Sequence, residues 1–126
     1  MIIRSQQMAT FGDASGTSYE NRTVVHLRKC FPEQCQKLDE NRIRQLITLG
    51  IERAQRYGIV TERDVCLYID LMFMFGEDYD TSPKLPWASE ILNDPHRTDP
   101  SRKIDYLYDV ALGHVKEQSR WEEVRI

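Results

Sequence analysis

Apolar residues recur every three or four positions along most of the chain, a spacing that predicts α-helices. Between residues 39 and 57 the apolar side chains fall on one side of a helix and the arginines mostly on the other, which is typical of an amphipathic helix. Asp39 is a good N-cap for this helix, and Gly58 tolerates the left-handed conformation that ends it. No period-two alternation between hairpin turns occurs in the sequence, so we predict an all-α fold.

The most apolar stretch of the chain spans residues 65–75, where Asp70 alone interrupts the series. Its apolar side chains surround the helix axis instead of forming one stripe, so we predict a central helix over residues 62–75 that other helices cover. Thr61 and Asp64 have the spacing of a capping box at its start. A membrane-spanning helix needs roughly 20 apolar residues. The stretch is too short for that, so we predict no membrane partner.

The N-terminal segment has a weaker helical pattern than the rest of the chain. Gly12 and Gly16 would each cost about 1 kcal/mol relative to alanine in the interior of a helix. We therefore predict a helix over residues 17–30 and an irregular arm over residues 1–16.

Two further helices follow the central one. Pro86 suits the first position of a short helix. Asp99 as N-cap and Pro100 at the first helical position begin the last helix, and the tail over residues 119–126 either extends this helix or is irregular. All segments together predict one all-α domain, residues 1–126, built as a compact bundle of about four to five helices.

The composition is that of an ordinary globular domain. Of 126 residues, 40% are hydrophobic and 29% are charged, and the net charge of −3 gives no general attraction to nucleic acid. Cys30, Cys35 and Cys66 are an odd number of cysteines, and the first residues lack the apolar core of a secretory leader. We therefore expect reduced thiols, a cytoplasmic location and no nucleic-acid partner.

A few side chains are candidates for chemistry. His26, Cys30 and Cys35 lie close together in the sequence and are of types that bind zinc, but a fourth ligand at a recognisable spacing is missing. We therefore predict no metal site. Asp70 must face water or be paired, and we expect an arginine of a neighbouring helix as its partner. Because no phosphate loop, nucleophile elbow or zinc-protease motif occurs in the sequence, we predict no catalytic residue, no cofactor and no enzyme activity.

Charge is distributed unevenly along the chain. Residues 22–63 hold nine Lys or Arg against five Asp or Glu, whereas residues 64–100 hold two against eight. Either the acidic block offers a negative surface to a basic partner, or the two blocks face and neutralise each other. For the first arrangement the predicted partner-binding residues are Glu77, Asp78, Asp80, Leu85, Trp87 and Trp121.

The stretches HLRKCFPEQC, GIERAQRYGIVTERDVCLYIDLMFMFGEDYD and LPWASEILND resemble a family of small bacterial proteins encoded beside type VI secretion effector and spike genes. The resemblance covers about residues 20–115 and implies a cytoplasmic helper of a secreted toxin. We therefore expect a non-enzymatic protein-binding module, an adaptor or chaperone for an effector or spike component. The alternatives are an immunity protein that neutralises a toxin through the acidic loop 77–80, and a small enzyme that acts through Asp70 or the Cys30/His26 group.

Overall fold

The computed structural model describes the chain from residue 15 to residue 124, with side chains described from residue 18 to residue 115. Within this part the chain forms six helices and no strand, which confirms the all-α prediction. The helices are α1 (Ser15–Cys30), α2 (Pro32–Lys37), α3 (Glu40–Arg56), α4 (Glu62–Phe75), α5 (Pro86–Leu92) and α6 (Pro100–Val124). Residues 1–14 of the predicted irregular arm lie outside the described residues.

Helix α4 is the centre of the bundle, as its apolar pattern predicts. It packs against α1, α3 and α6, and its residues Val65, Ile69 and Leu71 are fully buried. At its start, the hydroxyl oxygen of Thr61 accepts a hydrogen bond from the backbone N–H of Asp64 at 3.4 Å. This half of the predicted capping box ties the helix start to the loop before it.

Helix α3 begins and ends where the sequence indicates. The carboxylate of Asp39 accepts a hydrogen bond from the backbone N–H of Arg42 at 2.7 Å, which satisfies one of the unpaired donors of the first turn. Gly58 follows the helix with φ of +78°, a conformation that an L side chain rarely adopts.

Helices α3 and α4 make a close contact at Gly50. A Cβ atom at this position would lie 2.5 Å from Cγ1 of Ile69 and 3.0 Å from Sδ of Met72. The missing side chain therefore lets α3 press its buried residues Ile47 and Ala54 into the core that α4 forms.

Helix α6 covers α4 and α5. Asp99 caps it as predicted, because its carboxylate accepts a hydrogen bond from the backbone N–H of Ser101 at 3.0 Å. Ile104 and Leu107 on its inner face are fully buried. In the described part of the chain, no helix is both long enough and apolar enough to span a bilayer.

The bundle has one helix more than the sequence predicts. Helix α2 is this additional helix, so the bundle has six described helices where about four to five were predicted. Only Cys35 among its residues is buried, so no apolar period marks it in the sequence. Helix α6 continues to Val124, so of the two alternatives for the tail over residues 119–126 the structure has the extended helix up to that residue.

Candidate functional site

The acidic loop that follows α4 is held by arginines of α3. Arg42 pairs with Glu77 at 2.9 Å. Arg53 pairs with Asp78 at 2.7 Å and also donates a hydrogen bond to the backbone carbonyl of Glu77. At this loop the basic and acidic blocks of the sequence therefore face each other, and much of the predicted negative surface is neutralised within the chain.

Asp80 belongs to the interior of the protein. It is 6% exposed and accepts a hydrogen bond from the hydroxyl of Tyr57 at 2.8 Å. Burial and this hydrogen bond raise the pKa of Tyr57 to about 12. The rings of Tyr68 and Tyr79 pack beside the same carboxylate with their centroids 5.2 Å apart. Asp80 therefore anchors the loop to the core and presents little surface to a partner.

The predicted aromatic anchors are largely occupied by packing. The ring of Trp87 is half-buried between Phe75, at a centroid distance of 5.4 Å, and His114, stacked at 4.6 Å. Leu85 is half-buried against the core. Trp121 lies on α6, but its side chain is outside the described residues.

A groove of apolar side chains opens between α2, α3 and α4, which we call the α2–α4 groove. It encloses about 370 Å³, and its apolar walls are Leu38, Leu46, Met72, Phe73 and Met74. Its polar rim is formed by Gln34, Lys37 and Glu77, with Gly76 at one end. Leu38 directly follows α2, which stops at Lys37, and Met72, Phe73 and Met74 lie in the last turn of α4, which stops at Phe75. The ends of these two helices leave the groove between them uncovered.

The second candidate site lies where α1 packs against α4. His26 Nε2 and Asp70 Oδ1 are 2.8 Å apart, and Asp70 is buried. The partner of Asp70 is thus a histidine, and the expectation of an arginine was wrong. Burial raises the pKa of Asp70, and the hydrogen bond to His26 opposes that rise.

Two thiols accompany this pair. Sγ of Cys30 lies 3.7 Å from the other ring nitrogen of His26. Cys66 is half-buried on α4, and burial followed by the charge of Asp70 raises the pKa of its thiol to about 12. One ligand atom each of His26, Cys66 and Asp70 lies within 4.8 Å of the others. We call these three residues the histidine cluster. Cys35, which the sequence groups with His26, is buried on α2.

Cys30, His26 and Asp70 follow one another in the order of a nucleophilic triad. Cys30 is the last residue of α1. The next N–H along the chain, that of Phe31, is bonded within the helix, and Pro32 has none. The two positions directly after Cys30 thus offer no free backbone donor beside the thiol.

Among the partner-binding residues predicted from the sequence, only Glu77 lines the groove. None of them belongs to the apolar walls of the groove or to the histidine cluster. His26 with Cys30 and, separately, Asp70 were considered as candidates from the sequence; Cys66, four positions before Asp70 on the same helix, was not combined with them. Comparison of the whole chain with protein-family models, curated proteins and solved structures finds no match.

Proposed function

We propose that the protein is a non-enzymatic binding module that holds a secreted effector in the cytoplasm, as an adaptor or chaperone, and that the α2–α4 groove is the docking site. The observation that carries this proposal is the contiguous apolar lining of the groove. Apolar residues that line one open groove are typical of a contact surface, whereas isolated exposed ones are not. The link to type VI secretion rests on the sequence resemblance.

The chemistry of the lining favours a protein segment as the occupant. Met74 is half-buried, unbranched and adaptable, and methionines of this kind are common on surfaces that accept apolar helices. The walls are apolar, and the polar groups lie at the rim instead of converging inside the groove. This differs from small-molecule sites, where a few polar groups converge on the ligand.

The rim sets the polarity of the expected partner. Lys37 supplies a positive charge and Glu77 a negative one. A second recess of about 420 Å³ continues the groove past Lys37 and Leu38 towards Arg42. We therefore propose that the occupant is an amphipathic helix of the effector, with apolar residues facing the walls and charges of both signs along its edges.

Substitutions in the groove test this proposal. The measurement is calorimetric binding of the purified protein to candidate effectors taken from the genes that neighbour its own. Leu46→Glu and Met74→Glu place a carboxylate on half-buried walls of the groove, and each is expected to weaken binding by about 30-fold or more, the loss of a typical hot spot. Lys37→Glu changes only the exposed rim and is expected to slow association.

Val25→Glu is the matched control, because Val25 is 67% exposed on α1 and does not line the groove. It adds the same charge at an apolar position and should leave binding unchanged. Circular dichroism melts separate a loss of binding from a loss of folding. Equal weakening by Val25→Glu and Met74→Glu, or no complex with the effector, would contradict the proposal. Rescue of cells from the toxin without any effect of the groove variants would favour the immunity role instead.

A further inference from the structure

The α1–α4 contact contains a set of side chains that the proposed function does not use. His26 and Cys30 lie four residues apart on α1, and Cys66 and Asp70 lie four residues apart on α4. Residues four apart share one face of a helix. Because α1 packs against α4, these two faces meet, and the ligand atoms of His26, Cys66 and Asp70 come within 4.8 Å of one another.

We propose that His26, Cys66 and Asp70 bind a Zn²⁺ ion between α1 and α4, with a water molecule in the fourth coordination position. A nitrogen, sulfur and oxygen donor set of this kind suits zinc, whereas Ca²⁺ and Mg²⁺ take oxygen ligands almost exclusively. Three protein ligands and one water molecule give the four-coordinate arrangement of an open zinc site.

The distances fit after small side-chain rotations. Around a tetrahedral Zn²⁺ with ligands at about 2.0–2.3 Å, neighbouring ligand atoms are roughly 3.3–3.8 Å apart. In the cluster, His26 Nε2 and Asp70 Oδ1 are 2.8 Å apart and must separate slightly, while atoms as far as 4.8 Å apart must approach. Both changes amount to about an ångström at the ends of side chains, so the helices need not move.

Cys30 stays outside the coordination sphere. Its Sγ is 3.7 Å from Nδ1 of His26, whereas Asp70 Oδ1 lies 2.8 Å from Nε2. The two nitrogens point to opposite sides of the imidazole ring. A Zn²⁺ ion that Asp70 and Nε2 share therefore lies across the ring from the Cys30 thiol, and the fourth position is left to water.

The site is reachable from solvent. A recess of about 260 Å³ opens onto His26 and Cys66, and the His26 side chain is 36% exposed while that of Asp70 is 8% exposed. An ion can therefore enter from the α1 side and meet a buried carboxylate behind the imidazole. Burial of that carboxylate strengthens its attraction for a cation.

Positive charges near the recess are already neutralised. Arg22 pairs with Glu62 at 3.1 Å, and Arg63 pairs with Asp64 and Asp105 at 2.8 Å each. The arginines that line the recess thus have carboxylate partners of their own, and they add little repulsion against an incoming ion.

Titration of the reduced, full chain with Co²⁺, a coloured substitute for Zn²⁺, tests the site. Visible bands of a tetrahedral ion and a thiolate charge-transfer band should appear at one ion per chain, and Zn²⁺ should displace them. His26→Ala and Cys66→Ser should each weaken binding at least about 10-fold, a loss seen even when only a supporting residue of a metal site is removed. Cys30→Ser should leave the charge-transfer intensity nearly unchanged, because Cys66 supplies the thiolate.

Cys35→Ser is the matched control, since Cys35 is a buried thiol on α2 outside the cluster. It should leave the titration unchanged. A second measurement needs no variant: Zn²⁺ should slow alkylation of Cys66 in the natural chain and leave that of the exposed Cys30 unchanged, with the modified cysteine identified by mass spectrometry. Absence of the tetrahedral bands in excess Co²⁺, unchanged alkylation of Cys66 with Zn²⁺, or equal losses in Cys35→Ser and Cys66→Ser would each overturn the proposal.

Discussion

The contact between α3 and α4 at Gly50 predicts that one added methyl group destabilises the fold. In a helix interior, Gly→Ala alone gains about 1 kcal/mol. At Gly50 the new Cβ would lie 2.5 Å from Cγ1 of Ile69, a fully buried and β-branched residue whose stem cannot swing away. Overpacking of this kind costs about 1–3 kcal/mol, and the upper part of that range applies to a rigid neighbour. We therefore expect Gly50→Ala to destabilise the protein by about 2 kcal/mol.

The same substitution at Gly113 should act in the opposite direction. Gly113 is exposed within α6, and no atom of the described residues lies within 4 Å of the Cβ that alanine would add there. Gly113→Ala should therefore stabilise the protein by up to about 1 kcal/mol.

Urea unfolding followed by circular dichroism measures the free energy of unfolding of both variants. In a thermal melt of a domain of this size, 1 kcal/mol corresponds to roughly 3–5 °C in Tm, so Gly50→Ala should melt well below the natural chain and Gly113→Ala slightly above it. If Gly50→Ala were as stable as the natural chain, the packing of α3 on α4 described here would be wrong. The same conclusion would extend to the α2–α4 groove, whose walls those two helices supply.

Three further outcomes follow from single contacts. At pH 8 a thiol of pKa about 12 is roughly a thousand-fold less ionised than an ordinary thiol of pKa about 8.5, so Cys66 should alkylate far more slowly than the exposed Cys30 by mass spectrometry. Tyr57→Phe removes the hydrogen bond to the buried Asp80 and should lower the free energy of unfolding by about 1.5 kcal/mol. Asp39→Ala removes the N-cap of α3 and should cost about 1 kcal/mol in the same urea assay.

Each of these three predictions can be contradicted by its own measurement. Rapid alkylation of Cys66 in the folded protein would mean that α1 does not cover it. An unchanged unfolding free energy in Tyr57→Phe would mean that Asp80 is solvated instead of anchored in the core. No loss of stability in Asp39→Ala would mean that the first turn of α3 is capped by another group.

The sequence by itself determined where most helices begin and end, because those features depend on residues within one turn. Asp39 and Asp99 accept hydrogen bonds from the helix starts that follow them, and Gly58 has the positive φ that ends α3. The central position of α4 was also readable, since apolar residues all around a helix require neighbours on most sides. Helix α2 was missed because a helix with one buried residue leaves no period in the sequence.

Only the tertiary structure decided which charges and ligand-type residues meet. The arginines of α3 lie 24 to 35 positions from the loop residues that they pair with, and His26 lies 44 positions from Asp70. Composition and local spacing are the same whether such residues meet or face solvent, so the sequence left both arrangements of the charge blocks open and did not join His26 to Asp70. The groove has the same origin, because its apolar walls come from α3, α4 and Leu38 after α2, which only tertiary packing brings together.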